Sequence, residues 1–545
     1  MKDDVREEGG TTPDKERDEG HGGHIIDGGI SLDRDSQLQR GLKSRHIQFL
    51  ALGGAIGTGL FVGSGAILHL VGPAPLWMAY MVMMFVVWVI MNDIAEMTVY
   101  LPMRGITLPY FTNRYVDPSL SFAAGWNYWY VYAILVAAEA AAGAILLDYW
   151  DAPVHDAVWI TMILVVILAL NIIAVSVFGE AEFWFASIKL ITIMGLIILG
   201  IVLMLGGGPN HQRLGFWYWE EPGAFNEYLT TGSSGRFLSF WTALARAGFS
   251  FVTSPELIGL AAGETVAPRR NIPKAARRFL TRLAVFYGVS SLIIGCIVPS
   301  DDPRLLSPES NANASPWVIG IQRAGIGGLN HAINAAILTS AWSAGNAFLY
   351  SGSRVLYSMA ANNQAPRIFM KTNRRGVPWP AVLATWGVAC LAFLNVSEGG
   401  AQAFLWLMNL STISGYIAWI VVMITYLRFR KALQVQGLMD TRPFVTPLQP
   451  YATWFVLGLM VILTLTNGFQ TFAPFKYKDF LAAYITLPAF LILYFGHKVW
   501  FRTPWARPAA EIDVITGKKE MDDLAAADEK PVAKNWVQRI WFWIA

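Results

Sequence analysis

Hydrophobic positions in this chain fall in long runs, bounded by clusters of charge or of Pro and Gly. The runs lie near residues 47–70, 75–99, 121–147, 157–178, 183–206, 238–262, 280–299, 330–355, 380–397, 403–427, 452–468 and 480–500. About 20 consecutive apolar residues are what an α-helix needs to cross a bilayer. The pattern therefore predicts an all-α polytopic membrane protein with twelve transmembrane helices.

Two of the runs contain interruptions. Residues 51–65 carry six glycines, including the triplet Gly57-Thr58-Gly59, in a stretch otherwise apolar enough to enter lipid. Unwound backbone at membrane depth is tolerated only where protein or a water-filled cavity supplies partners. The N–H groups freed there, together with the positive dipole end of the helix that resumes, form a cradle for a carboxylate without any basic side chain. The sixth run is broken at Thr253-Ser254-Pro255, where an inverted repeat of five spans would place the counterpart of the first break. Pro255 lacks an N–H and crowds the carbonyl four residues earlier, so carbonyls near Phe251 are freed to accept from an ammonium group. The candidate substrate site is thus Ile56, Gly57, Thr58 and Gly59 facing Phe249, Ser250, Phe251, Thr253 and Ser254, with Phe249 or Phe251 as an aromatic lid. The alternative is that these glycines serve close helix packing, as glycines in membrane helices commonly do.

Composition agrees with the membrane reading: 54% of residues are hydrophobic and 14% charged, against about 25% charged in a soluble domain. Charge placement sets the orientation. The loop 263–282 holds Arg269, Arg270, Lys274, Arg277, Arg278 and Arg282, and the loop 357–379 holds Arg367, Lys371, Arg374 and Arg375, so both are expected to face the cytoplasm. The connection 148–157 is acidic, although Lys476 and Lys478 run against the trend. An even number of spans places both termini in the cytoplasm. The expected organisation is an N-terminal tail 1–45, a first repeat 46–206, an extracellular loop 207–236, a second repeat 237–430, a final pair of spans with their preceding loop at 431–501, and a C-terminal tail 502–545. The first 25 residues lack the apolar core of a cleavable signal peptide. In the second tail, Trp536, Val537, Ile540, Trp541 and Ile544 recur at helical spacing, which suits an amphipathic helix at the lipid surface or a segment docked on the protein's own cytoplasmic face. Cys296 and Cys390 offer neither a disulfide framework nor a metal motif. No nucleotide loop, metal cluster or nucleophile arrangement is evident, so no cofactor, no metal, no nucleic acid and no enzymatic activity are expected. An integral membrane enzyme would want His and acids clustered at one interface, and the eight histidines are dispersed.

The chain resembles the fungal plasma-membrane amino acid permeases of the amino acid, polyamine and organocation superfamily. The resemblance is carried by residues 51–65, Ala95-Glu96-Met97 with Pro102 and Gly105, residues 125–129, Ala262-Gly263-Glu264-Thr265 followed by residues 268–274, residues 340–345, Ser353-Arg354, Ala365-Pro366, residues 376–378 and 511–517. It implies a LeuT-like fold of five plus five inverted helices followed by two more. It also implies plasma-membrane import of an amino acid by proton symport and alternating access. Gly57, Thr58 and Gly59 would take the substrate carboxylate, and the backbone around Phe251 to Ser254 the amino group. Lys2, Lys15 and Lys43 would be sites for ubiquitin-ligase adaptors. Where the family has a Gly-Thr pair before the glutamate of the sixth span, this chain has Ser254-Pro255. A non-transporting nutrient receptor on the same fold, or a carrier of derivatives such as betaines or polyamines, is the alternative.

A charged side chain at the centre of a membrane helix costs about 3 kcal/mol on insertion scales, so each asks for a partner or a task. The resemblance makes Lys189 a stand-in for a sodium ion bridging the first and eighth spans; the alternative is a lysine snorkelling to the cytoplasmic end. Glu256 and Glu139 are candidates to accept the symported proton or to bind a cationic substrate, the alternative being structural hydrogen bonds. Glu96 and Asp93 are expected to pair with Arg104 or the basic loop 269–282, and Ser340 or Ser343 to meet Lys189 or a sodium ion.

Overall fold

The computed structural model describes residues 25–26, 30–31, 57–101, 108–150, 153–173, 175–256, 268–305, 315–398, 400–472 and 474–527. Ile56, the first half of the first predicted span, Arg104 and the Trp-rich segment from 536 lie outside the described residues. Apart from a short ladder pairing Ile25–Ile26 with Ile30–Ser31, the described residues build helices.

In chain order these are α1 (Gly59–Val71), α2 (Pro73–Tyr100), α3 (Leu108–Tyr115), α4 (Pro118–Asp148), α5 (Asp156–Ile173), α6 (Val175–Met204), α7 (Gly232–Ala247), α8 (Arg269–Ile297), α9 (Pro316–Arg323), α10 (Leu329–Ala361), α11 (Trp379–Glu398), α12 (Gly400–Val435), α13 (Tyr451–Thr466), α14 (Tyr477–Tyr484), α15 (Thr486–Phe501) and α16 (Lys518–Ala527). Among the described residues, eight helices are long and apolar enough to cross a membrane, or nine when α14 and α15, bent by 45° at their junction, count as one. The half-helices α1 and α7 and the 33-residue α10 occupy the positions of the predicted first, sixth and eighth spans.

α4 is the central post. Pro118 opens it without needing an N–H partner, and the Asp117 carboxylate caps it by accepting from Ser119 N at 2.7 Å and Leu120 N at 2.9 Å. Its stretch Ala137 to Ala144 is almost all small, so α10 and α5 approach closely. A Cβ on Gly143 would stand 2.8 Å from Ile163 Cδ1, and one on Gly345 of α10 2.8 Å from Ile167 Cδ1. α12 packs on the other flank, where Asn127 and Ser414 exchange hydrogen bonds: Asn127 Nδ2 donates to the Ser414 carbonyl at 2.9 Å, and Ser414 Oγ to Asn127 Oδ1 at 2.8 Å. α5, α6 and α13 lie at the periphery and expose Val165, Ile191, Ile198 and Phe455, as lipid-facing helices do.

Two features depart from the sequence expectation. The segment expected as a basic loop up to residue 282 is helical from Pro268. The reason is legible afterwards: Ile272, Ala276, Phe279 and Leu283 recur every three or four residues and are all buried, which gives the arginines the opposite face. The carboxylates of α2 also find partners other than those expected. Glu96 accepts from Tyr426 Oη at 2.8 Å and from Thr446 N at 2.7 Å and faces Arg442 at 3.5 Å; Asp93 accepts from Thr453 Oγ1 at 2.9 Å.

The chain end folds back over the face where α2 and α12 terminate. Arg507 N donates to the Val116 carbonyl at 3.1 Å. Arg114 donates to the carbonyls of Asp513 and Thr516 and pairs with the Asp513 carboxylate at 3.1 Å. Further on, Asp522 pairs with Arg269 of α8 and Lys518 lies over the Tyr100 ring.

Candidate functional site

The two interruptions meet. α1 is preceded by Thr58 in helical backbone and opens on a wide five-residue π turn, Gly59–Gly63, with no side-chain cap, so the N–H groups of its first turn have no partner within the helix. α7 stops at Ala247; a 3₁₀ turn Gly248–Ser250 follows, and Thr253 takes φ +71°, a left-handed backbone uncommon for a β-branched residue. A Cβ on Gly59 would fall 2.7 Å from Ser250 Cα, so only glycine lets α1 and the second break touch at this depth. The second break is fastened from behind: Tyr80 Oη and Ser250 Oγ share a hydrogen bond of 2.8 Å, and Phe251 stacks on Tyr287 with 4.5 Å between centroids. Phe251 is therefore tucked among α2 and α8. Phe249 instead lies across the gap, against Gly59 and Gly63 on one side and edge-on to Phe404 of α12 on the other.

Backbone partners differ between the two breaks. On the first, Thr58 N donates to Glu139 Oε1 at 3.4 Å, and a Cβ on Gly57 would stand 2.8 Å from that same oxygen. On the second, the carbonyl of Phe251 accepts from Ser254 N at 3.1 Å and also from Ser254 Oγ, while the Gly248 carbonyl accepts from Phe251 N and Val252 N. The carbonyl that Pro255 was expected to free is thus occupied by its neighbour's hydroxyl. Several buried oxygens nearby lack a well-formed hydrogen bond, namely Thr58 Oγ1, Thr253 Oγ1, Glu139 Oε2 and Glu256 Oε2, although the Thr58 hydroxyl lies beside Glu139 and the Tyr128 hydroxyl beside Glu256. Buried polar atoms are ordinarily satisfied, so this concentration suits a region that receives a polar guest.

Of the ionisable trio, Glu139 and Lys189 belong to one cluster and Glu256 to another. Lys189 is fully buried, with the charges of Glu182 and Glu139 acting on it. Ser343 Oγ donates to Glu182 at 2.9 Å, and Asn171 Nδ2 donates to Asn346 Oδ1 at 2.8 Å alongside. Glu256 accepts from Trp419 Nε1 of α12 at 2.7 Å. Sequence reasoning missed Glu182, which falls one residue before the boundary drawn for the fifth span. Its spacing of seven from Lys189 places both on one helix face and was the available signal. It also missed Arg246, one turn before Phe249, whose Nε is buried without a partner.

Two helix interruptions facing each other inside a polytopic bundle define a membrane transporter architecture. In shape, the chain is similar to a manganese transporter of Eremococcus coleocola solved in complex with an aromatic bis-isothiourea compound, with a TM-score of 0.53 and 14% identity, covering 86% of this chain and 97% of the other. Within that class, residues 46–508 match the amino acid permease family, and the chain belongs to it. It is 55% identical over 519 residues to a proline-specific permease of Emericella nidulans, covering 94% of each chain. It is 49% identical over 508 residues to a proline-specific permease of Saccharomyces cerevisiae, covering 90% of this chain and 81% of that one.

Proposed function

We propose that this permease imports proline, together with a proton, across the plasma membrane by alternating access, with both termini in the cytoplasm. The observation that carries the reading is the contact of Gly59 with Ser250, which sets the amide end of α1 beside the interrupted backbone after α7. A zwitterion held there would place its carboxylate on the N–H groups of residues 57–59, next to Ile56, and its amino group toward Phe251 to Ser254. The acceptor supply favours a secondary amine. Two donors of Ser254 already engage the Phe251 carbonyl. A primary ammonium must place three N–H bonds, whereas the ammonium of proline has two, so the crowded break penalises the former more. This agrees with the substrate in the names of the two relatives.

Coupling is assigned to the buried cluster of Glu139, Lys189 and Glu182, with Glu256 as a further proton acceptor. Glu139 bridges the substrate cradle, through Thr58 N, and the field of Lys189, so the occupancy of one bears on the charge of the other. The basic residues of α8 and of the connection after α10 favour the cytoplasm for the α2–α12 end.

The test is uptake of labelled proline in cells lacking their own carriers, with the other amino acids as competitors and with an uncoupler. Saturable accumulation, abolished by the uncoupler and competed best by cyclic secondary amines, is the expected result. Binding without accumulation would mean a receptor. Accumulation indifferent to the uncoupler would remove the proton.

A further inference from the structure

Glu256 is held firmly at one end. Trp419 Nε1 fixes Oε1 at 2.7 Å, whereas Oε2 is buried and lacks a well-formed hydrogen bond. The hydroxyl of Tyr128 on α4, also buried, lies beside the same carboxyl as its hydrogen-bonding neighbour. The charge of Glu256 also reaches Tyr132, one turn along α4. A carboxyl and a phenol facing one another in an apolar interior are placed for a proton transfer.

Tyr128 has a second neighbour. It lines a cavity between α2, α3, α4 and α12, walled by Met97, Leu108, Thr112, Val421 and Thr425. The hydroxyls of Thr112 and Thr425 meet across it at 3.0 Å. Tyr128 and these two hydroxyls, which also donate to the carbonyls of Leu108 and Val421, border one small hollow with oxygens able to accept from a water. Thr112 stands two residues before Arg114, which the C-terminal segment clasps, so the hollow lies on the C-terminal side of Glu256. That side is the cytoplasmic one in the orientation proposed above.

We propose that Tyr128 carries the symported proton from Glu256 to water in this cavity, and so to the cytoplasm. The Glu256 carboxyl gives its proton to Tyr128 Oη as the phenol gives its own to the water. Glu256 is left a carboxylate, Tyr128 is neutral again, and the water leaves with the charge. The break at Ser254, two residues before Glu256, ties this step to substrate occupancy. The proposal rests on the proton-symport reading and adds its exit route.

The experiment uses the full chain in proteoliposomes and compares two rates. Exchange of labelled for unlabelled proline at equal pH on both sides needs no net proton release; gradient-driven uptake does. For Tyr128→Phe, gradient-driven uptake falls roughly tenfold or more and becomes less sensitive to deuterium oxide, while exchange stays close to wild type. Thr425→Val, which removes a hydroxyl from the hollow and leaves Tyr128 in place, shows the same split to a smaller degree. Normal gradient-driven uptake in Tyr128→Phe, or a loss of exchange in proportion to uptake, overturns the route. A wild-type protein indifferent to a proton gradient fails earlier and differently, by removing symport itself.

Discussion

Replacing Gly59 by alanine tests the meeting of the two breaks. The added Cβ would stand 2.7 Å from Ser250 Cα, 2.9 Å from Ser250 Oγ and 3.2 Å from Phe249 Cδ1. The nearest of these is backbone, and Ser250 is pinned by Tyr80, so relief requires α1 and the 3₁₀ turn to part by several tenths of an ångström. Overpacking of this kind costs about 1–3 kcal/mol. At 1.4 kcal/mol per tenfold, the apparent affinity for proline falls by roughly 5- to 150-fold if the strain is relieved when the breaks separate. Gly63 supplies the control, because a Cβ there would sit 3.5 Å from the Phe249 ring, an ordinary contact. Initial rates of labelled proline uptake across a concentration series, normalised to protein at the cell surface, give the two Michaelis constants. An unchanged constant for Gly59→Ala, or equal damage from Gly63→Ala, would refute close approach as the reason for glycine at position 59.

Three further expectations use other parts of the molecule. Glu182→Gln removes one of two carboxylates from buried Lys189 and destabilises the protein by about 3–5 kcal/mol, visible as a lower melting point in detergent; adding Lys189→Met restores most of the loss. Ser254→Ala removes one donor from the Phe251 carbonyl, so competition by primary amino acids should strengthen by roughly tenfold while proline affinity changes little; no gain for any primary amine would dismiss acceptor crowding. Burial pushes the Asp302 carboxyl up, but hydrogen bonds from Arg304 and Arg323 and the charge of Arg304 outweigh it and hold the group below its ordinary 3.8. A group depressed on folding contributes its stability in full above about pH 4 and loses it as pH falls further. The melting-point deficit of Asp302→Asn should therefore match at pH 7.5 and 5.5 and narrow near pH 3.

Much of this architecture is written in the chain at coarse grain. The apolar runs mark the helices because a lipid-spanning helix needs only length and greasiness, and the second interruption shows because Pro255 is an unambiguous breaker. Partner choice is where reading from spacing stops. Asp93 and Glu96 find Thr453, Tyr426, Thr446 and Arg442, contacts that span some 330 to 360 residues of sequence and follow from how α12 and α13 dock. The Ser254 hydroxyl turning back on Phe251 depends on the left-handed Thr253, a backbone state that no residue there announces. Glu182 escaped notice for a simpler reason: an ionisable group near the end of an apolar run looks solvated until neighbouring helices close around it, whereas Arg246, well inside the run 238–262, carried the same signal as Lys189.

The folded-back chain end moves the true edge of this protein. Arg114 is 5% exposed and takes its acid and two of its acceptors from residues 513 and 516, so trimming at Phe501 would strand a buried guanidinium among apolar walls. Deletions reaching upstream of Asp522 will report first on assembly and quality control, whatever trafficking signal they were meant to remove. A fluorescent fusion or affinity handle belongs beyond residue 527, past the contacts of Lys518 and Asp522.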